Sequence, residues 1–505
     1  MATQDDKQSN RYVNDLRRFS FAQGEVKNVR GKFLPFTVAG IFLIVAGIYG
    51  NLSLQVAPQD VFMLVCASAI GGYMALNIGA NDVANNMGPA VGSKVLTVLS
   101  AVLIAAVFES AGALLAGGDV VKTVSKGIIN PGEGVALTDF RNLMLSALLA
   151  AALWINLATY LNAPVSTTHS IVGGVMGGGI AAAGFGLVNW VTLSKIAASW
   201  VISPVFGGFV AASLLFLIEM KIMRPADRNA AARKWVPVLI GLMAGAFMAY
   251  MAMKGLKKIW KPDLATIIVM SVLALVGAWA ASVPFVASRA KQIGSRKKEI
   301  YSLFNLPLIM GVALLCFAHG ANDVANAVGP LAAIVSTFSG DEIAAKVGIP
   351  FWVMLIGAGG LALGLLLFGP KLINTVGDKI TRLNAPRAYC VALASAITVL
   401  IATTLGLPGQ LDPYRHWRHF RHRLPAGIAG KPEPDAAEAR PPDQSDGRRS
   451  VRQYPEQAEA QAGATAVRAV HRRGLGDHCA GVSAAVSFAF LCVASSLIHC
   501  WIDSN

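Results

Sequence analysis

Eleven residues, Gly79 to Pro89, read G-A-N-D-V-A-N-N-M-G-P, and Gly320 to Pro330 read G-A-N-D-V-A-N-A-V-G-P. The copies start 241 residues apart and agree at nine of eleven positions, among them Asn81/Asn322, Asp82/Asp323 and Asn85/Asn326. Each is set in strongly apolar sequence, where an ionisable residue costs roughly 2.5–3.5 kcal/mol on insertion scales and marks a functional site. On a helix the third and seventh motif residues lie four apart on one face, with the Asp beside them. Carboxylate and amide oxygens together suit a small hard cation, or a proton carried on the carboxylate. Amide N–H groups donate to the oxygens of an anion. The flanking Gly and Pro predict a helix break at each motif, freeing backbone N–H groups and a positive helix end for an anion. A purely structural hydrogen-bond network is the blander alternative, and it fits duplicated carboxylates and amides less well.

Three further groups carry possible chemistry. Ala163-Pro164-Val165-Ser166-Thr167-Thr168-His169 opens an apolar, Gly-rich segment. Its three consecutive hydroxyls either cap the following helix or present donors to a tetrahedral oxyanion; beside the Asn-Asp motifs the second reading gains weight. Glu109, in Phe108-Glu109-Ser110-Ala111-Gly112, is a further acid in apolar sequence, and the fixed offset of 241 sets Pro350 opposite it. A place in the site and a role in helix packing are equally open for it. His319 stands where the first copy has Ile78, and reads as a satisfied core histidine rather than a titrating group.

The elements that must position these residues are membrane helices. Hydrophobic residues make up 54% of the chain and charged ones 14%, against about 25% charged in soluble domains. The reading is an all-α polytopic membrane protein. Apolar segments run over 34–50, 60–78, 93–117, 142–161, 167–187, 195–218, 236–253, 264–287, 303–318, 322–338, 349–369 and 388–408. Asn81–Pro89, Asn322–Pro330 and Asn162–His169 are expected to interrupt their segments, and broken segments at matching places in two halves point to a transporter's midplane site. Cys66, Cys316 and Cys390 stand singly in apolar sequence without metal or disulfide spacing, and read as buried, inert thiols.

The formal charge of +15 sits in short loops and a basic first stretch, so membrane orientation explains it and nucleic acid does not. Residues 1–33 read as a cytoplasmic tail, 34–218 as a first repeat, 219–302 as basic loops and central spans, and 303–408 as a second, truncated repeat. The loops Lys221–Lys234 and Arg289–Lys298 read as cytoplasmic. That leaves Lys254, Lys257, Lys258 and Lys261 on the opposite face, against the rule.

After Pro408 the sequence turns rich in Pro, Arg, Ala and His. His416, His419 and His422 have a spacing that a metal site could use, but a disordered basic tail is the plainer reading. A third reading explains more. Back-translating Gly409 to Arg423 with the first base dropped permits V-S-S-T-H-I-A-I-G-G-I-F-G-I, and after Leu407-Pro408 this restores L-P-V-S-S-T-H, the counterpart of Ala163–His169. The same shift over Arg472–Val482 permits A-A-A-W-V-I-T-V-P-V-S, similar to Ala197–Pro204. Residues 409–505 are therefore read as an out-of-frame, disordered tail.

At Gly79–Pro89, Gly320–Pro330 and Ala163–His169 the chain resembles the inorganic phosphate transporter family of secondary carriers, over roughly residues 34–408. The resemblance implies two inverted repeats with about twelve membrane segments, re-entrant hairpins included. It implies phosphate import coupled to H⁺ or Na⁺ in a bacterial inner membrane, with phosphate sometimes carried as a divalent-metal complex and no resident cofactor. By position, Asp82, Asp323, Asn85 and Asn326 would hold the coupling cation or proton. Ser166, Thr167, Thr168, Asn81 and Asn322 would ligate phosphate, with Glu109 as a possible addition. The family's second Pro-Val-Ser motif is absent after Leu407, so transport by this chain is expected to be impaired. Expected partners are phosphate, the coupling cation, the lipid bilayer and, at most, further copies of the chain. A sulfate permease on the same scaffold and a non-transporting oxyanion sensor are the alternatives. An enzyme is disfavoured, because no nucleophile–base pair or metal-ligand spacing appears.

Overall fold

The computed structural model describes residues 29–404 apart from 119, 122–123, 125–126, 130–134, 162, 164, 256–261, 295, 339–348 and 381–382. The readings of the tails 1–28 and 405–505 lie outside the described residues.

Twelve helices of a dozen residues or more follow one another among the described residues. They are α1 Val29–Ser53, α2 Val61–Gly92, α3 Val98–Ala116, α4 Leu137–Tyr160, α5 Thr167–Ala183, α6 Trp190–Ile218, α7 Arg228–Tyr250, α8 Leu264–Ala290, α9 Asn305–Ser336, α10 Phe351–Leu367, α11 Gly369–Ile380 and α12 Ala385–Thr404. Nine helical stretches among the described residues are long and apolar enough to cross a membrane, and Phe351–Leu367 is a shorter apolar helix. The protein is an all-α, multi-pass membrane protein.

Local sequence sets several helix starts. Thr97, Asn189 and Asp227 each accept a hydrogen bond from the backbone N–H three residues on, capping α3, α6 and α7. Gly184 ends α5 at φ 75°, a left-handed conformation that a side chain would strain.

One expectation fails here. The two motifs do not interrupt their segments: α2 and α9 run through them without a break, and 303–318 and 322–338 form a single helix. Pro89 and Pro330 lie near the C-terminal ends of these helices. A proline removes one intrahelical hydrogen bond, to the carbonyl four residues back, and need not end the helix when tertiary packing holds it. The carbonyls left without that partner are those of Asn85 and Asn326.

α2 and α9 form the centre, buried along most of their length. α9 packs on α3 and α2 packs on α10, while α2 and α9 also touch each other. Glycines bring these backbones together. A Cβ on Gly79 would lie 2.1 Å from the Leu361 carbonyl oxygen, and one on Gly364 would lie 2.0 Å from that of Leu76. In the other pair, a Cβ on Gly320 would lie 2.1 Å from the Glu109 oxygen and one on Gly112 would lie 1.9 Å from that of Phe317. Both pairs are antiparallel, and the two crossings correspond residue for residue. α7 and α8 form a helical hairpin in which α8 buries only Ser282, Val286 and Ala290. Asn229 at the start of α7 donates to the carbonyls of Ala290 (2.7 Å) and Ile293 (3.1 Å) at the end of α8. The basic stretches at 221–234 and 289–298 therefore share one end, and Lys254 stands at the other.

Candidate functional site

Every polar residue of the two motifs is buried, Asp82 at 1% exposure and Asp323 at 2%. Uninterrupted helix puts the fourth and seventh motif residues one turn apart, and they pair. Asn85 Nδ2 donates to Asp82 Oδ1 (3.2 Å), and Asn326 Nδ2 donates to Asp323 Oδ1 (3.4 Å). Each carboxylate thus has one oxygen fixed by its own motif. The other, Oδ2 in both, makes no hydrogen bond of good geometry. Asn326 Oδ1 and Thr167 Oγ1 are likewise buried without a partner. Buried oxygens left without hydrogen bonds mark this region as a candidate ligand site, since buried polar groups elsewhere in proteins are nearly always paired.

The hydroxyl segment docks against both motif helices. Asn81 Nδ2 donates to Thr159 Oγ1 (2.9 Å) at the end of α4 and to the Ala163 carbonyl (3.2 Å), while Val165 N–H donates to Asn81 Oδ1 (3.1 Å). Asn326 Nδ2 donates to Thr168 Oγ1 (3.0 Å). The break between α4 and α5 was expected, and Asn81 is what anchors it. Ser166 serves as the cap of α5: its Oγ accepts from His169 N–H (2.9 Å) and contacts His169 Nδ1. Of the three hydroxyls, Thr167 and Thr168 are fully buried at the motif helices. Asn322, the counterpart of Asn81, turns its amide to Asp323 Oδ1 (3.1 Å).

Glu109 joins the region from α3, with its side chain bonded within the first half and its backbone against Gly320 of the second. It is buried, and Asn86 Nδ2 donates to its Oε1 (2.6 Å). The glycine crossings correct its counterpart. Gly112 lies 33 residues after Gly79 but Gly364 lies 44 after Gly320, so the second connection is 11 residues longer and Leu361, not Pro350, stands opposite Glu109. Asn86 is matched by Ala327. The Asn–Glu pair of one half is an Ala–Leu pair in the other.

His319 was read as a satisfied core residue, and it is buried with its Nε2 3.1 Å from Asp323 Oδ2, which sets it beside the carboxylates. Ligand atoms of Asp82, His319 and Asp323 all lie within 4.8 Å of one another. One imidazole nitrogen and two carboxylate oxygens are a donor set that first-row divalent metals accept. The signal in sequence was the four-residue step from His319 to Asp323, legible only if the helix is taken as continuous. Asn86 and Thr159 were also missed.

The sequence pattern of the phosphate transporter family matches residues 78–409. The chain belongs to that family. Over 405 residues it is 45% identical to a protein of Helicobacter pylori strain J99 described as a candidate phosphate permease, covering 78% of this chain and 74% of that one. A Thermococcus kodakarensis protein with the same description is 36% identical over 353 residues, 70% of this chain and 86% of its own. Among solved structures, one titled the sodium-dependent phosphate transporter superposes with a TM-score of 0.70 at 32% identity, covering 85% of this chain and 99% of that one. In these family terms, the duplicated motif and the hydroxyl segment are the parts that meet at the buried oxygens.

Proposed function

We propose that this phosphate transporter family member imports inorganic phosphate across a bacterial cytoplasmic membrane by symport with H⁺ or Na⁺, through two inverted repeats. The observation that carries the reading is the close approach of two buried carboxylates, Asp82 with its Oδ2 unbonded and Asp323 with its Oδ2 met by the His319 ring alone. A phosphate that keeps a proton donates a hydrogen bond to a carboxylate, and sulfate at neutral pH cannot. The unbonded Asp82 oxygen beside buried hydroxyls therefore favours phosphate over sulfate. Thr167, Thr168 and Asn322 would ligate the anion, with Asn81, whose donors are taken up by Thr159 and Ala163, and Ser166 holding the segment that presents them. Asp82, Asp323, Asn85 and Asn326 would hold the coupling cation, helped by the freed carbonyls of Asn85 and Asn326. Glu109 would supply a further buried carboxyl from the first half. The Asp82–His319–Asp323 set supports carriage of phosphate with a divalent cation as part of the cargo.

The out-of-frame reading of 409–505 is kept, and the end of the family match at residue 409 supports it. Loss of the second hydroxyl motif would leave the anion half of the site incomplete and transport impaired. Resequencing the DNA around the Pro408 codon tests this; a clean read with no single-base insertion sinks it. Proteoliposome uptake of labelled phosphate against sulfate, in frame-restored and present chains, tests the function. Runs with and without Na⁺, a pH gradient and added divalent metal identify the coupling. Equal uptake of sulfate by the restored chain would overturn the substrate.

A further inference from the structure

Arg141, in the first turn of α4, lies about 20–33 Å from the carboxylates, judged from about 1.5 Å of rise per residue along α9 and α2. Its side chain is 11% exposed, and each of its three nitrogens donates one hydrogen bond. Nη1 reaches Asp60 Oδ1 at 2.8 Å, just before α2. Nε donates to Thr337 Oγ1 (2.7 Å) and Nη2 to the Thr337 carbonyl (3.1 Å), at the end of α9. The guanidinium carbon sits 4.1 Å above the centre of the Phe338 ring. Thr337 in turn donates to the Ile334 carbonyl (2.7 Å), so its hydroxyl is held in place to accept. One planar fork therefore ties the start of α2, the start of α4 and the end of α9, a geometry that Lys could not reproduce.

α2 and α9 are the two helices that carry the carboxylates, one from each half of the chain. Any path that opens from this face between α4 and α9 must separate Arg141 from Asp60 or from Thr337. We infer that Arg141 is a positioning residue for the transport cycle: it clamps the two motif helices together at one face, and its release opens that face to the site. Closure at Arg141 presupposes a transporter, whereas the labelling below reads conformation alone, so either can fail without the other.

The test uses the full chain in membrane vesicles, with the six cysteines replaced by Ser and Ala333→Cys as reporter. Ala333 is buried on α9, two turns from Asn326 on the same face and on the clamp side of it. A membrane-impermeant thiol reagent is applied from each face. With Arg141 present, labelling is slow. Arg141→Gln and Asp60→Asn each accelerate it from one face by at least about tenfold, equivalent to ~1.4 kcal/mol on the opening equilibrium. The swap Asp60→Arg with Arg141→Asp slows it again, a rescue that a merely disrupted fold would not give. Thr337→Val removes only the hydroxyl contact, keeps the ion pair and gives an intermediate rate, which serves if Arg141→Gln does not insert. Unchanged labelling in the inserted variants, or acceleration from both faces without rescue by the swap, overturns the assignment.

Discussion

The two halves of the molecule share a pair of backbone crossings and differ in chemistry around them. Gly79 against Leu361 and Gly320 against Glu109 are the same crossing, and each Asp is steadied by the Asn three residues later. Around this shared centre the halves diverge. The first has Asn86 bonded to Glu109 where the second has Ala327 and Leu361. The second has His319 beside Asp323 where the first has Ile78. The close packing leaves room for nothing but glycine in either copy, while side chains one turn away differ between the copies. A site that is two-fold in its carboxylates is thus one-sided in its neighbours.

That comparison breaks first at the carboxylates. Asp82→Asn and Asp323→Asn should each abolish coupled phosphate uptake by the frame-restored chain while leaving it in the membrane. Normal uptake by either would end the equivalence of the two aspartates. Next come the glycines. Gly79→Ala and Gly320→Ala should each destabilise by about 3 kcal/mol, because the new methyl meets backbone that cannot move aside. Gly173→Ala, with open space around it, should stabilise by roughly 0.5–1 kcal/mol. Thermal unfolding in detergent reads both, and a mild effect at only one of Gly79 and Gly320 would unpair the crossings.

The asymmetric pair gives a smaller effect. Asn86→Ala strips the donor from a buried carboxyl and should cost about 1–3 kcal/mol. Building the pair in the second half, Leu361→Glu with Ala327→Asn, should be better tolerated than Leu361→Glu alone, by a coupling of about 1 kcal/mol. Zero coupling would mean that Leu361 does not stand where Glu109 does. Smallest is Ser166→Ala, expected to lower stability by ~1 kcal/mol as a lost cap with little change in the KM for phosphate. A large rise in KM would return Ser166 to the ligand shell.

Much of the site was legible in sequence because it is written twice. The duplicated motif marked Asp82 and Asp323, and the hydroxyl segment marked the break that Asn81 anchors. What misled was local. Gly and Pro in the motif predict a break by propensity, yet a proline near a helix end removes a single hydrogen bond, and buried packing along α2 and α9 outweighs it. Glu109 was aligned by a constant offset, and the longer connection after α9 shifts the register by 11 residues. Arg141 gave no signal, because its partners come from residues 81 and 196 positions away.

The exchanged crossings also bear on how the chain is made. α2 finds its closest backbone partner in α10 and α3 finds its own in α9, so neither half is a unit that folds first. At about 5–20 residues per second, the first motif waits on the order of tens of seconds for the second to leave the ribosome. During that interval Asp82 lies in the bilayer without His319 and Asp323, the neighbours that α9 brings. Assembly, not only transport, depends on both copies being present.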